Sequence, residues 1–343
     1  MAKDTSYTEL GLIQAIRQRA THSRQGRAAV ALGIGDDCAV LRPPKGHEVL
    51  VTTDFSLEGK HFRRDWHTGR SVGHRCLARG LSDLAAMGAR PLAAFLSLAV
   101  PAEMIRRAEG RAWLDDFLDG LFRLSDRVGV TVAGGDTAGA PGAEMLADIV
   151  LLGSALRGTA LRRSGARAGD GIYVTGHLGG AAAELDALAR QPRRFKSVEW
   201  SEDDTHPHLF PSPRLRIGEM LRRRGIATAA IDVSDGLSTD LFHLCEESSV
   251  DAKIEAAALP VHPLAVALGA DEALRIALHG GEDYELLFTA AAKTHVPRSV
   301  DGVPITRIGT IVAPGLKTKR KMVLVHGSGR REVLHARGWE HLS

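Results

Sequence analysis

Apolar residues recur along the chain with two periods, and the switches between them predict the elements. Val49, Leu50 and Val51 form a short apolar run ending in Thr52-Thr53-Asp54, the pattern of a strand that enters a polar turn. Residues 68–87 read as a helix, with Gly88 as stop signal and Pro91 just beyond. Leu92 to Val100 reads as a buried strand. Pro101 then opens a longer helix in which Trp113, Phe117, Leu121, Leu124 and Val128 return at three- and four-residue steps, closed by Gly129. Val130 to Ala133 predicts a strand running into Gly134-Gly135-Asp136, and Met145 to Leu156 another long strand.

The segment from Arg157 to Gly171 is rich in Arg and Gly and poor in apolar residues, which puts a domain boundary near residue 158. Beyond it, strands at 172–175 and 229–233 alternate with helices at 181–189, 213–224 and 237–248, and later strands follow at 284–288 and 305–312. The expected organisation is therefore a mixed first domain, 1–158, and an α/β second domain, 159–343. Residues 191–213 are polar and proline-bearing, the pattern of a long surface excursion. The pattern assigns no role to 191–208.

Composition narrows the class. The chain has 343 residues, 44 % hydrophobic and 25 % charged, which suits about two ordinary globular cores and excludes a largely disordered chain. No apolar stretch approaches the roughly 20 residues of a membrane span, and Met1-Ala2-Lys3-Asp4 lacks the start of a signal peptide. Three widely spaced cysteines, Cys38, Cys76 and Cys245, form no disulfide or zinc pattern, so a cytoplasmic location is expected. With 44 Lys+Arg against 41 Asp+Glu, a net charge of +3 makes no nucleic-acid footprint, and 5 % aromatics gives few stacking platforms.

The acids matter by placement. Asp36-Asp37, Asp54, Asp136, Asp232, Asp235 and Glu282-Asp283 sit beside Gly, Ser or Thr, several of them just past a predicted strand. Each string alone is also an ordinary turn, Ser234 reads equally as a helix N-cap, and Asp83 could pair with Arg79 one turn earlier. Their repetition is what counts. Two carboxylates about 4 Å apart repel by about 4 kcal/mol at an effective dielectric near 20, so a converging set would require cations. Hydroxyls and carboxylates are the oxygen donors Mg²⁺ takes alongside substrate phosphates. A P-loop, a Gly-x-Gly-x-x-Gly fingerprint, a His-Glu-x-x-His helix and a Gly-x-Ser-x-Gly elbow are all missing from the sequence.

Taken in order, Gly33-Ile34-Gly35-Asp36-Asp37-Cys38, Thr53-Asp54 with Gly59 to Phe62, Leu81-Ser82-Asp83-Leu84-Ala85-Ala86-Met87-Gly88-Ala89 and Gly134-Gly135-Asp136-Thr137 form the first set of motifs. Arg163-Ser164-Gly165-Ala166, Ile231 to Leu237, and Gly280-Gly281-Glu282-Asp283-Tyr284-Glu285-Leu286 follow, with a weaker tail at Gly338-Trp339-Glu340-His341. This series resembles the thiamine-monophosphate kinase family, within the aminoimidazole ribonucleotide synthetase superfamily of ATP-dependent enzymes. The resemblance implies Mg²⁺-dependent direct transfer of the ATP γ-phosphoryl to thiamine monophosphate, giving thiamine diphosphate and ADP. It also implies a ferredoxin-like N-terminal domain that binds metal and ATP and pairs in a homodimer, and an α/β C-terminal domain that completes the ATP and substrate site.

Carried over by motif, Asp37, Thr52, Thr53, Asp54, Asp83, Asp136, Asp232 and Asp235 are the implied ligands of several Mg²⁺ ions. Gly135, Arg163 and Ser234 would contact ATP, and His61, Glu282 and Trp339 would hold thiamine. No covalent intermediate and no catalytic nucleophile are implied, because the acceptor phosphate is already ionised. Ala138 stands where the family more often has a second Thr, and Thr52 where it often has Ser. Two other readings remain at this point: a synthetase of the same superfamily, and a non-catalytic nucleotide or metal sensor.

Overall fold

The computed structural model describes residues 8–22, 29–201, 205–315 and 321–339; Met1 to Asp4 and the motif residues Glu340 and His341 lie outside them. Its contacts divide the chain into two units. One comprises Met1–Leu81, Arg90–Gly158 and Leu188–Trp200, the other Ser82–Ala89, Thr159–Ala187 and Ser201–Ser343. A break thus falls after Gly158, while two short segments count with the unit opposite to their sequence neighbours.

In the first unit, α1 (Glu9–His22), β1 (Val30–Leu32) and β2 (Val40–Leu41) precede β3 (His47–Leu57). Then come α2 (Gly69–Ala86), whose last residues belong to the second unit, β4 (Arg90–Val100), α3 (Ala102–Arg106), α4 (Ala108–Val128), β5 (Thr131–Gly139) and β6 (Leu146–Leu156). Strands β3, β6, β4 and β5 form a four-stranded sheet in that order, with only β4 and β5 parallel.

Of the periodic stripe of α4, Phe117, Leu121 and Leu124 are buried and Trp113 and Val128 only partly, with Leu114 and Leu118 buried beside them. The helix crosses α2, whose Leu77, Ala78 and Leu81 are also buried, at close range because glycines line the crossing. A Cβ on Gly73 would lie 1.8 Å from the Phe117 carbonyl oxygen, and one on Gly120 would lie 2.0 Å from that of Arg70. The long helix expected after Pro101 is instead two helices. Arg107 is extended (φ −95, ψ 138), and Gly110 of α4 packs on the backbone of Met104 in α3.

Two expected turns are strand. β3 continues through Thr52-Thr53-Asp54 to Leu57 because β6 pairs with it along its whole length. β5 continues through Gly134-Gly135-Asp136 because β4 residues Phe95 to Ser97 pair with that stretch. Gly135, at φ 146, crosses so close to β4 that a Cβ would lie 1.7 Å from the Leu96 carbonyl oxygen. Apolar periodicity does not detect a strand whose pairing is made by glycines.

In the second unit, β7 (Gly171–Thr175), α5 (Gly180–Arg190), α6 (Leu215–Arg223), β8 (Ala229–Asp232), α7 (Leu237–Ser248) and β9 (Asp251–Glu255) come first. They are followed by α8 (Pro263–Val266), α9 (Ala270–His279), β10 (Leu286–Ala290), β11 (Ser299–Val300), β12 (Val303–Val312), β13 (Met322–Val325) and β14 (Arg331–Leu334). The main sheet runs β14-β13-β9-β12-β7-β10-β8, with β11 paired to β12; it is antiparallel except for β13 on β9.

Both faces of this sheet are apolar, so adjacent strand residues serve separate cores. Ile231 and Leu287 pack with Leu241 and Leu244 of α7. Ala230, Leu286 and Phe288 pack with Ile217 and Leu221 of α6. The expected surface excursion differs from its reading at its end, where His208, Leu209 and Phe210 are buried.

Candidate functional site

In the first unit, the hydroxyl of Thr53 donates to Asp148 Oδ1 across the β3–β6 pair at 2.9 Å. Arg79 Nη2 of α2 lies 3.8 Å from Asp54 Oδ1, so this arginine reaches the strand in addition to its own helix. Beneath them, burial pushes the Cys76 thiol up to about 12, with the nearby Asp54 and Asp148 charges adding to the effect. Cys76 is thus a neutral packing residue.

A second feature of this unit is a cavity of about 820 Å³ lined by Ile13 and Arg17 of α1, by Asp36 and Asp37, and by Gly135, Asp136 and Thr137 of β5. Three implied residues, Asp37, Gly135 and Asp136, therefore share one cavity. Their carboxylate neighbours are held locally: Asp136 Oδ1 accepts the Thr137 N–H at 2.8 Å, and Asp36 Oδ1 accepts that of Asp37 at 2.9 Å. Arg17 was not a sequence candidate; its charge on an amphipathic helix carries no signal of what that helix covers.

His61 sits in the turn after β3. Its Nδ1 accepts the N–H of Leu57 at 3.0 Å, which places the ring proton on Nε2 in the neutral imidazole. Its carbonyl oxygen accepts from Arg75 Nη1 at 2.9 Å, tying the turn to α2.

In the second unit, β8 ends at Asp232, which is buried and accepts the hydroxyl proton of Ser82 at 2.7 Å. Burial pushes the Asp232 carboxyl up to about 7, with the Asp83 charge second, while the Arg163 guanidinium pulls the other way. Asp83 and Arg163 thus lie close enough to Asp232 for their charges to act on it. Among the described residues, no three His, Cys, Asp or Glu side chains close into a metal cage by themselves.

The loop from Val233 to Gly236 is a hub. Asp240, one turn into α7, accepts the backbone N–H groups of Ser234, Asp235 and Gly236 on a single carboxylate oxygen at 3.0–3.1 Å. Two other segments attach to the same loop through their main chains. Glu282 donates its N–H to the Ser234 carbonyl at 2.7 Å, and Trp339 donates to the Asp235 carbonyl at 3.0 Å. Gly338, just before the tryptophan, packs so tightly that a Cβ would lie 2.1 Å from the Asp235 oxygen. Its N–H and that of Arg337 bind Thr239 Oγ1 and Ser238 Oγ.

Four implied residues, Ser234, Asp235, Glu282 and Trp339, are therefore gathered by main-chain hydrogen bonds, and the Trp339 ring stays 53 % exposed. Glu282 has φ 67, an uncommon conformation for a non-glycine residue, of the kind that clusters where function over-determines the backbone. Asp240 and His208 were not among the sequence candidates. Asp240 follows Asp235 by one helical turn, a spacing that points to the loop; His208 sits in the unassigned excursion.

A family described as AIR synthase related protein, N-terminal domain, matches residues 35–155. The thiamine-monophosphate kinase of Escherichia coli strain K12 is 40 % identical over 297 residues, covering 84 % of this chain and 87 % of its own. The crystal structure of the thiamine-monophosphate kinase from Stenotrophomonas maltophilia K279a superposes with a TM-score of 0.73 at 37 % identity, covering 93 % of this chain and 96 % of that one. AaThiL, solved in complex with AMPPCP and TMP, superposes with a TM-score of 0.70 at 26 % identity, covering 100 % and 99 %.

Proposed function

The chain belongs to the thiamine-monophosphate kinase family, and on that premise we propose that it transfers the γ-phosphoryl of ATP to the phosphate of thiamine monophosphate, giving thiamine diphosphate and ADP. The observation that carries the reading is the hub at Val233 to Gly236, which gathers Ser234, Asp235, Glu282 and Trp339. A half-exposed Trp339 and a glutamate anchored on the same loop would suit a flat cation such as the thiazolium of thiamine, since an indole face and a carboxylate both attract positive charge. The complex of AaThiL with AMPPCP, an ATP analogue, and TMP supports the same pair of substrates.

The acceptor phosphate is ionised at neutral pH and needs no general base. The barrier lies in bringing two polyanions together in line, so positioning and charge stabilisation carry catalysis. Gly135 lines the cavity beside Asp37 and Asp136 and would offer its backbone to a phosphate or ribose there. Ser234 and Arg163 supply a hydroxyl and a guanidinium to ATP.

The donor set fits Mg²⁺. Asp37, Thr52, Thr53, Asp54, Asp83, Asp136, Asp232 and Asp235 offer only carboxylate and hydroxyl oxygens. Mg²⁺ is usually held by one or two carboxylates with substrate phosphates and water, so pairs such as Asp83 and Asp232 suffice without a protein cage. When bound, the ions would bridge phosphate oxygens and offset their charge.

We place the protein in the cytoplasm as a homodimer. Among the described residues no helix is long and apolar enough to cross a membrane, and Cys38, Cys76 and Cys245 are free thiols. Val49, Val51 and Phe55 stand exposed along one face of β3, an apolar row of the kind a second copy covers. The decisive assay incubates purified protein with ATP, Mg²⁺ and either thiamine monophosphate or thiamine. Thiamine diphosphate forms from the monophosphate; no product from it would overturn the reading and favour a superfamily synthetase or a sensor.

A further inference from the structure

We infer that His208 is a positioning residue for substrate selection: it aims the Glu282 carboxylate at the cationic ring of thiamine monophosphate without touching the substrate itself. The inference rests on the reading of Glu282 as a thiamine-holding residue.

The geometry begins on α5. Glu184 is buried and spends both carboxylate oxygens on the turn at residues 206–209. Oε2 accepts the backbone N–H of His208 at 2.8 Å and of Leu209 at 3.2 Å, while Oε1 lies 2.5 Å from His206 Nδ1. The N–H of Phe210 donates to the His206 carbonyl at 2.8 Å and closes the turn. A buried carboxylate committed in this way fixes the backbone from which the next side chain leaves.

That side chain is the imidazole of His208, 1 % exposed, whose Nδ1 lies 3.1 Å from Glu282 Oε2. Glu282 is thus fixed at its main chain by the Ser234 carbonyl, at φ 67, while its carboxylate packs against the buried His208 ring at ion-pair distance, without an aligned Nδ1 hydrogen bond. A glutamate has three side-chain torsions to freeze when it meets a cation. Setting them beforehand lowers the cost of binding and keeps the charge where the ring arrives. The end of the 191–208 connection, to which the sequence pattern assigned no role, thereby acts on a substrate residue from behind.

The test uses the full chain and steady-state kinetics with thiamine monophosphate and ATP varied in turn. His208→Leu removes the polar ring beside Glu282 and keeps bulk, and His208→Asn keeps a polar N–H near the Nδ1 position. The leucine variant should raise KM for thiamine monophosphate by about tenfold or more, with kcat and the KM for ATP within about twofold. The asparagine variant should recover most of that loss. His208→Leu combined with Glu282→Gln should be no worse than Glu282→Gln alone, because the two changes remove one interaction. If the leucine variant does not fold, as judged by thermal melting, His208→Gln, with its amide displaced toward Nε2, replaces it with the same expectation.

An unchanged KM for thiamine monophosphate, equal losses for both substrates, or multiplying effects in the double variant would overturn the inference alone. A wild-type protein that forms no thiamine diphosphate would overturn the substrate reading, and this inference with it.

Discussion

The carboxylate of Asp283 caps a helix more than a hundred positions earlier in the chain: its Oδ2 accepts the backbone N–H of Gly179 at 2.7 Å and its Oδ1 that of Ala181 at 3.1 Å. These donors sit at the start of α5, where N–H groups have no partner within the helix. Burial nevertheless outweighs them and pushes the Asp283 carboxyl up to about 7, with the Glu285 charge adding to it. The folded state therefore holds this proton between about pH 4 and 7, where the unfolded chain releases it, and stability falls as pH rises through that window. Urea unfolding of the wild type and of Asp283→Asn, compared from pH 4 to 7.5, should show the wild-type advantage shrinking as pH rises. A constant difference would contradict the shift.

The α2–α4 crossing gives a second expectation. Alanine in place of Gly73 gains up to about 1 kcal/mol of helix propensity, but its Cβ would lie 1.8 Å from the Phe117 carbonyl oxygen. Overpacking of that kind costs about 1–3 kcal/mol and here must move backbone. Gly73→Ala should lower the melting temperature measured by calorimetry; a rise would mean the crossing is looser than the geometry requires.

Asp240 anchors the hub without meeting substrate. Burial pushes the Asp240 carboxyl up to about 8, with the Asp232 and Asp235 charges adding to it. Asparagine therefore keeps the acceptor that three N–H groups share but loses the group that can ionise beside those two acids. Asp240→Asn should reduce kcat/KM by about 10–100-fold and raise the Mg²⁺ concentration needed for half-maximal rate. Normal Mg²⁺ dependence would place this aspartate outside the site.

Trp339 stands on a strap built by backbone contacts, so its ring can be changed without releasing the strap. Trp339→Ala should raise KM for thiamine monophosphate by about 5–30-fold, and Trp339→Phe by less, in line with about 1–2 kcal/mol for a ring facing a cation. Equal effects of the two variants would argue against stacking.

The residues implied by resemblance were picked by their types and neighbours, and the elements β6 and α7, read from periodicity, are found within a residue of their expected ends. What pattern reading missed has a common physical cause. β5 continues through Gly134-Gly135 because β4 pairs with it, an interaction made by backbone. The hub joins 233–236 to 281–285 and 337–339 through N–H and C=O groups, which every residue type shares. The short helix α3 breaks from α4 at an arginine, a residue with no turn signature. His208 escaped notice because a histidine among prolines in a polar stretch looks like solvent-exposed loop.

The Leu57 N–H that occupies His61 Nδ1 has a chemical consequence for what the imidazole can meet. With that nitrogen committed as acceptor, the neutral ring keeps its proton on the buried Nε2, which can then give a hydrogen bond but not receive one. An anionic or carbonyl oxygen is welcome there, and an ammonium or amide N–H is not. The polarity of the imidazole is therefore set by a backbone group that, of all substitutions at Leu57, only proline would remove.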